Sequence, residues 1–214
     1  MKTSRMEAFS DGVFAIAATL LILNVTADAS SGALGGALRH FWPQYAAYVF
    51  GFIVIGIWWV NHHVYVEVLA RTDRVHLFLN IMFLTCIAFF PYPIRLVARH
   101  MWDEGARAAV VTYGLTSTFA AIFAACFWFY AAHDRRLISE SINQRTIDRI
   151  SRSVIAGAPI NAAATLVALW NPHIAIVLLL AFTLSYVIGT SLSGKEEEEL
   201  RLNECISKDI LTPN

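Results

Sequence analysis

The stretch Arg5–Leu21, which reads RMEAFSDGVFAIAATLL, decides the fold of this chain. It places ionised side chains and a long apolar run in one predicted helix, because from Gly12 to Leu23 every residue except Thr19 is apolar. A membrane-spanning helix needs about 20 mostly apolar residues. An ionisable group at the edge of such a span, as Asp11 is here, is unfavourable unless it is paired or faces water. We therefore expect function to involve this first helix.

The composition is typical of a polytopic membrane protein. The 214 residues are 57% hydrophobic and 15% charged, whereas soluble domains are roughly 45–50% apolar and roughly 25% charged. The net charge is zero and there is no basic stripe, which argues against nucleic acid as a partner. The cysteines lack paired spacing, so we predict no disulfide and no zinc site. They are Cys86, Cys126 and Cys205.

Six apolar segments are long enough to cross a bilayer, which predicts an all-α fold with six transmembrane helices. The segments are Glu7–Val25, Phe41–His63, Val75–Val97, Ala106–Ala132, Val154–Trp170 and His173–Thr190. We expect Pro91 and Pro93 to end or bend the third helix, and Pro159 to kink the fifth.

Two further segments are predicted to lie outside the spans. In Leu137–Arg152, apolar residues alternate with charges, which is typical of an amphipathic helix along the membrane interface. Residues 193–214 include the run Glu196–Glu199 and are predicted to form a solvated acidic tail. Residues 1–192 would then be the six-helix transmembrane unit.

The distribution of Lys and Arg predicts the orientation. Twelve of the 16 lie in segments on the side of the chain termini, and four lie on the opposite side, namely Arg39, Arg95, Arg99 and Arg107. Both termini are therefore predicted to be cytoplasmic. A cleavable signal peptide ending at Ala27–Ala29 is an alternative, but Glu7 and Asp11 interrupt its basic-then-apolar order.

One face of the first helix is a candidate pore surface. At about 100° per residue, seven positions fall on one stripe. They are Arg5, Phe9, Gly12, Ile16, Thr19, Leu20 and Leu23. The aliphatic side chains could simply pack against other helices or lipid. Alternatively, several copies of the helix line a pore, and the aliphatic rings form a constriction that gates by dewetting.

A second polar cluster lies where the second span ends and the third begins. Its members are Trp58–His63, Asp73, Arg74, His76 and Asn80. The predicted topology brings them level with Ser10 and Asp11. Three interpretations remain open: a hydrogen-bond network that holds the first helix in register, a metal or proton site using His62, His63, His76 and Asp11, or an interfacial aromatic belt. Adjacent histidines point about 100° apart on a helix, which weakens the metal interpretation.

The motif Arg5-x-x-x-Phe9-Ser10-Asp11-Gly12, with the apolar run after it, resembles the signature of the transmembrane-protein-175 family. Its members are potassium channels of endosomes and lysosomes with prokaryotic relatives. The cluster Trp59-x-Asn61-His62-His63 is similar to the family's second helix. The resemblance implies a prokaryotic homotetramer in the cell membrane, the bacterial inner membrane, that conducts potassium ions without a cofactor.

The resemblance also implies roles for individual residues. Ile16 matches the main pore constriction, Leu20 and Leu23 match apolar rings above it, and Thr19 borders the pore and contributes to ion selectivity. The remaining signature residues would form a network beside the pore. They are Arg5, Phe9, Ser10 and Asp11, with His62 and His63 as partners.

Other classes of protein fit the sequence less well. Thr112-Tyr113-Gly114 is the nearest approach to a conventional potassium-channel filter, but it lies within a continuous apolar span. No nucleophile elbow or His-x-x-x-His pair is present, so we do not predict an enzyme. The main alternative to a channel is a proton-coupled secondary transporter that uses the predicted layer of His and Asp residues.

Overall fold

The computed structural model describes residues 3–25 and 42–185, and the chain in these ranges is helical apart from turns and one isolated antiparallel bridge. Helix α1 is followed by a 3-10 turn, Leu21–Asn24. The seven helices are α1 Ser4–Leu20, α2 Trp42–Glu67, α3 Arg74–Phe89, α4 Pro91–His100, α5 Ala106–Ala132, α6 Gln144–Val167 and α7 Pro172–Ser185. The predicted all-α fold is confirmed for these residues.

Five segments within the described ranges are long and apolar enough to cross a membrane. They are Ser4–Leu23, Trp42–Glu67, Arg74–His100, Ala106–Arg135 and Gln144–Val167. The shorter α7 is also apolar, but the predicted sixth span, His173–Thr190, extends beyond the described residues. The count of six spans and the cytoplasmic termini therefore stay predictions. The proposed acidic tail and the alternative signal-peptide site also lie outside the described residues.

The third span is interrupted at Phe90. Helix α3 ends at Phe89 and α4 begins at Pro91, where a proline is tolerated because the first helical N–H has no partner within the helix. Pro93 and Ile94 then face the protein interior. The prediction that Pro91 and Pro93 end or bend this span is confirmed.

The predicted helix over Leu137–Arg152 is wrong for the residues before Gln144, and its position at the membrane interface stays a prediction. Helix α6 begins at Gln144 and continues without a break to Val167, and this helix is long enough to cross a membrane. Before it, Leu137 and Ile138 are buried, and Ile138 forms an antiparallel bridge with Leu69. The backbone N–H of Ala70 donates to the Leu137 carbonyl at 2.9 Å. The apolar side chains of this segment face the protein because the loop before α3 pairs with it.

Helix α5 is the centre of the core, since it packs against α3, α4 and α6. Trp128 and Phe127 are fully buried near its end. At Gly114 the backbones of α5 and α6 come so close that a Cβ atom would lie 2.3 Å from Thr165 Oγ1. Small residues at such positions let membrane helices approach each other closely. Helix α1 packs at the edge of this core, against α2 and α3.

Candidate functional site

Helix α1 leaves one face uncovered within the chain. Ile16 is 61% exposed and Leu23 is 68% exposed, although both lie in a largely apolar helix. The other predicted stripe residues are exposed too: Arg5, Phe9, Gly12, Thr19 and Leu20. The Thr19 hydroxyl donates to the Ile16 carbonyl at 3.0 Å. The lone pairs of the Thr19 oxygen can therefore still accept a hydrogen bond or contact a cation. One helix thus presents aliphatic side chains and one hydroxyl on the same exposed face.

The opposite face of α1 is packed into the protein. Phe14 lies 5.6 Å from the His62 ring and 6.1 Å from the Phe83 ring, centroid to centroid. Leu21 contacts α2 so closely that a Cβ on Gly51 would lie 3.0 Å from its Cδ1. Because this face is held on three sides by α2, α3 and α4, the orientation of the exposed stripe is fixed.

A buried hydrogen-bond chain joins α1, α2 and α3. The Asn80 amide nitrogen donates to Ser10 Oγ at 3.0 Å, and that hydroxyl donates to the Met6 carbonyl at 2.8 Å. Asn80 Oδ1 lies 2.8 Å from His62 Nε2. Since this oxygen can only accept, His62 donates from Nε2 and is fixed in one tautomer. Ser10, His62 and Asn80 are all buried, so each is satisfied by the others.

A second set of contacts lies at the boundary between α1 and α2. The Trp59 indole N–H donates to Asp11 Oδ1 at 2.8 Å. One turn away, His63 Nδ1 lies 3.7 Å from Glu7 Oε1, and the His63 ring stacks on Trp59. The structure therefore pairs Asp11 with Trp59 and not with either histidine. Within the described ranges Arg5 has no hydrogen-bond or ion-pair partner.

A third polar group lies at the start of α3. Asp73 caps this helix by accepting from the His76 backbone N–H at 2.9 Å, and it also accepts from the Tyr130 hydroxyl at 2.8 Å. Arg136 Nε lies 3.7 Å away. The backbone hydrogen bond from His76, followed by the Tyr130 hydrogen bond and the positive charge of Arg136, lowers the pKa of Asp73 below its ordinary value. The side chain of His76 is buried, bonded to Thr72 and stacked on Phe127.

The predicted single polar layer is therefore three separate groups. Only Ser10, His62 and Asn80 meet directly in the buried chain, while Asp11 and His76 have other partners. Among the described residues, no three His, Cys, Asp or Glu side chains come close enough together to hold a metal ion. The arrangement suits a structural role, since it ties α1 to its neighbours.

Sequence reasoning missed Trp59 as the partner of Asp11, although a signal was present. Glu7 and Asp11 are four residues apart on α1, and Trp59 and His63 are four residues apart on α2. Residues at this spacing lie on one face of a helix. Two such faces on antiparallel neighbours meet as two successive pairs, which is the arrangement observed.

Comparisons with known proteins identify relatives of this chain. The model of the family described as endosomal/lysosomal potassium channel TMEM175 matches residues 5–91. A potassium channel of Streptomyces collinus is 39% identical over 145 residues, covering 66% of this chain and 70% of that protein. A potassium channel of Chamaesiphon minutus is 35% identical over 156 residues, covering 71% of this chain and 76% of that protein.

A solved structure agrees with the sequence relatives. The crystal structure of a lysosomal potassium-selective channel TMEM175 homolog from Chamaesiphon minutus has a TM-score of 0.77 at 29% identity, covering 87% of this chain and 96% of that one. The chicken endosomal/lysosomal proton channel TMEM175 is 32% identical over 150 residues, which are 64% of this chain but 30% of that longer protein. The fold is that of a helical membrane protein, and the relatives that share it are channels. The chain belongs to the TMEM175 potassium channel family.

Proposed function

We propose that this chain forms a potassium-preferring cation channel in which α1 helices from four copies surround a central pore. The observation that carries the proposal is the uncovered apolar stripe of α1, backed by a face that is fully packed and hydrogen-bonded. The bacterial relatives at 35–39% identity are named potassium channels, which supports the same activity here. The bacterial source of these relatives favours insertion in the cell membrane of a bacterium.

Ile16, Leu20 and Leu23 would form successive apolar rings that set the width and dryness of the pore. A narrow hydrophobic constriction can gate by dewetting. Potassium is larger than sodium at equal charge and loses hydration water more readily, so an apolar ring favours potassium to a modest degree. The oxygen of Thr19, whose proton is engaged by the Ile16 carbonyl, would add a partial replacement for lost water.

The contacts of the histidines argue against a proton-coupled transporter. Such a mechanism needs ionisable groups in a shared, water-accessible layer, as the initial alternative supposed. Here His62 and His76 are each buried and have separate partners, and Asp11 contacts neither. These side chains are better suited to holding α1 in place.

The test is ion flux into liposomes that contain the purified protein, first under a potassium gradient and then under a sodium gradient. Ile16→Asn is compared with Ile155→Asn, because Ile155 in α6 is equally exposed at 60%. We expect passive, potassium-preferring flux in the parent and in Ile155→Asn, and increased sodium flux in Ile16→Asn alone. Flux that saturates and requires a proton gradient would contradict the channel proposal. Unchanged ion preference in Ile16→Asn would remove that residue from the constriction.

A further inference from the structure

Helix α6 presents a second uncovered stripe, remote in sequence from α1. Its exposed residues recur every three or four positions from the first turn to the turn after its end. They are Arg145, Arg149, Arg152, Ile155, Pro159, Ala163, Leu166 and Trp170. The first three are cationic, the middle four are apolar, and the last is an aromatic residue that is 78% exposed.

This order matches the layers of a lipid bilayer. Eighteen residues separate Arg152 from Trp170, which at about 1.5 Å per helical residue is roughly 27 Å. The hydrocarbon core of a bilayer is about 30 Å thick. Tryptophan is enriched at the membrane interface. Successive helices cross in opposite directions, so the start of α2, the end of α4 and the end of α6 lie on the same side. The exposed Trp42, Trp102 and Trp170 are found at these three places. The arginines are therefore at the level of the lipid headgroups on the other side.

The surroundings of Arg145 and Arg152 favour an anion at the start of α6. The first turn of α6 contains no acidic residue, and the positive end of the helix dipole lies there. The carboxylate of Asp148 accepts from Gln144 Nε2 at 2.9 Å. Arg152 Nε donates to the backbone carbonyl of Asp148 at 3.4 Å and not to its carboxylate. Among the described residues, neither Arg145 nor Arg152 forms an ion pair.

We propose that Arg145, Arg149 and Arg152 bind the headgroup of an anionic phospholipid, whose acyl chains lie along the apolar part of the same stripe. Guanidinium groups pair with phosphate oxygens through two parallel hydrogen bonds. Basic residues near a membrane surface attract anionic lipid, each contributing about fivefold in affinity. The site involves no residue of α1, so it is independent of the proposed pore.

The test measures phosphatidylglycerol bound to the purified full-length protein taken from vesicles of equal parts phosphatidylglycerol and phosphatidylcholine. The variant is R145Q/R149Q/R152Q. The control is R99Q/R107Q, which removes two exposed arginines at the end of α4 and the start of α5, on the same side of the membrane as Trp170. We expect at least about a tenfold loss of phosphatidylglycerol affinity in the triple variant, given about fivefold per arginine. The control should bind as the parent does, and phosphatidylcholine should be unaffected throughout.

Further arms separate this proposal from other anion or protein contacts. R145K/R149K/R152K keeps the charge and should retain most of the binding; if the glutamine triple variant does not fold, Arg152→Gln alone should lose about fivefold. Equal binding by the triple variant and the parent would overturn the proposal, as would equal losses in the control. Displacement of the lipid by an equal concentration of inorganic phosphate would instead indicate a site for free anions. A change in oligomeric state of the triple variant, with lipid binding intact, would indicate contact with a second copy.

Discussion

Ile16 in α1 and Ile155 in α6 are almost equally exposed, at 61% and 60%, yet their helices differ in the residues along the exposed stripe and in the contacts behind it. The α1 stripe begins with a single arginine, Arg5, and includes Gly12 and Thr19, whereas the α6 stripe begins with three arginines and ends with a tryptophan. Exposure of an apolar residue therefore does not distinguish a pore surface from a lipid surface. The residues at the ends of each stripe, and the contacts behind it, carry the distinction.

The two helices are also held in place by different means. Behind the α1 stripe, Ser10 is joined to Asn80 and His62 by buried hydrogen bonds. Behind the α6 stripe, Gly114 packs closely against Thr165, and one hydrogen bond, from the Trp128 indole N–H to Ser151 Oγ at 2.9 Å, joins α5 to α6. Hydrogen bonds fix both the rotation and the depth of a helix, whereas packing of small residues mainly fixes its distance. Buried hydrogen bonds therefore suit α1 better than packing alone, if its side chains must align with those of other copies of the chain.

Removal of the amide that links the buried chain should have the largest effect. Asn80→Leu leaves His62 Nε2 without its acceptor in the interior and removes the donor to Ser10 Oγ, which keeps only its bond to the Met6 carbonyl. An orphaned buried group costs about 1–3 kcal/mol, and a lost hydrogen bond adds about 0.5–1.5 kcal/mol. We expect a loss of about 2–5 kcal/mol in the free energy of unfolding, measured in detergent by thermal or chemical denaturation.

The control for Asn80→Leu is Thr85→Val on the same helix, whose exposed hydroxyl bonds only its own backbone. This substitution should change stability by no more than about 0.5 kcal/mol. If both variants were equally stable, the buried chain would not be what holds α1.

Added volume at Gly114 should be the next largest effect. Because a Cβ would lie 2.3 Å from Thr165 Oγ1, Gly114→Ala forces α5 and α6 apart, and overpacking of this kind costs about 1–3 kcal/mol. Thr165→Ala should restore part of the loss in the double variant.

Gly12→Ala is the matched control for Gly114→Ala, since among the described residues no atom beyond its chain neighbours and the nearby backbone of its own helix lies within 4 Å of the added Cβ. The subunit should be at least as stable with alanine there, because alanine favours a helix over glycine by about 1 kcal/mol. A larger loss at Gly12 than at Gly114 would mean that the α1 stripe is tightly covered by another copy.

The sequence was sufficient to predict the helices and the exposed stripe of α1, because both depend on local periodicity and apolar length. The break at Phe90 was predictable for a similar reason, since Pro91 and Pro93 remove backbone donors from one helix. The five long spans follow from the same kind of information, summed over about 20 residues.

Contacts between distant segments were harder to predict. Apolar residues among charges, as in Leu137–Arg152, are compatible with both a lipid interface and a protein interior, and only the pairing of Ile138 with Leu69 decides between them. The partner of Asp11 similarly depends on which side of α2 faces α1. That relation is set by helix packing and is not a property of either segment alone.

The contact between Asp11 and Trp59 should have a moderate effect on stability. Asp11→Ala leaves the indole N–H without its acceptor, and loss of this exposed bond should cost about 1 kcal/mol. We expect reduced thermal stability or subunit assembly, with little change in ion preference. Trp59→Phe should have a similar effect, and the two should not add in the double variant. A stable, fully assembled Asp11→Ala protein with altered ion preference would place Asp11 at the pore instead.

The smallest expected effect is on the pH dependence of stability, through the ionisation of Asp73. This side chain connects the start of α3 to the end of α5. Its pKa is lowered in the folded protein, first by the hydrogen bond from the His76 N–H and then by Tyr130 and Arg136. A carboxyl whose folded pKa lies below its unfolded value contributes stability above the unfolded value of 3.8 and loses it as the pH falls further. The melting temperature should therefore fall less steeply below this pH in Asp73→Asn than in the parent. Equal slopes would mean that these contacts do not couple folding to ionisation, and that the junction beside α6 is held by its backbone pairing alone.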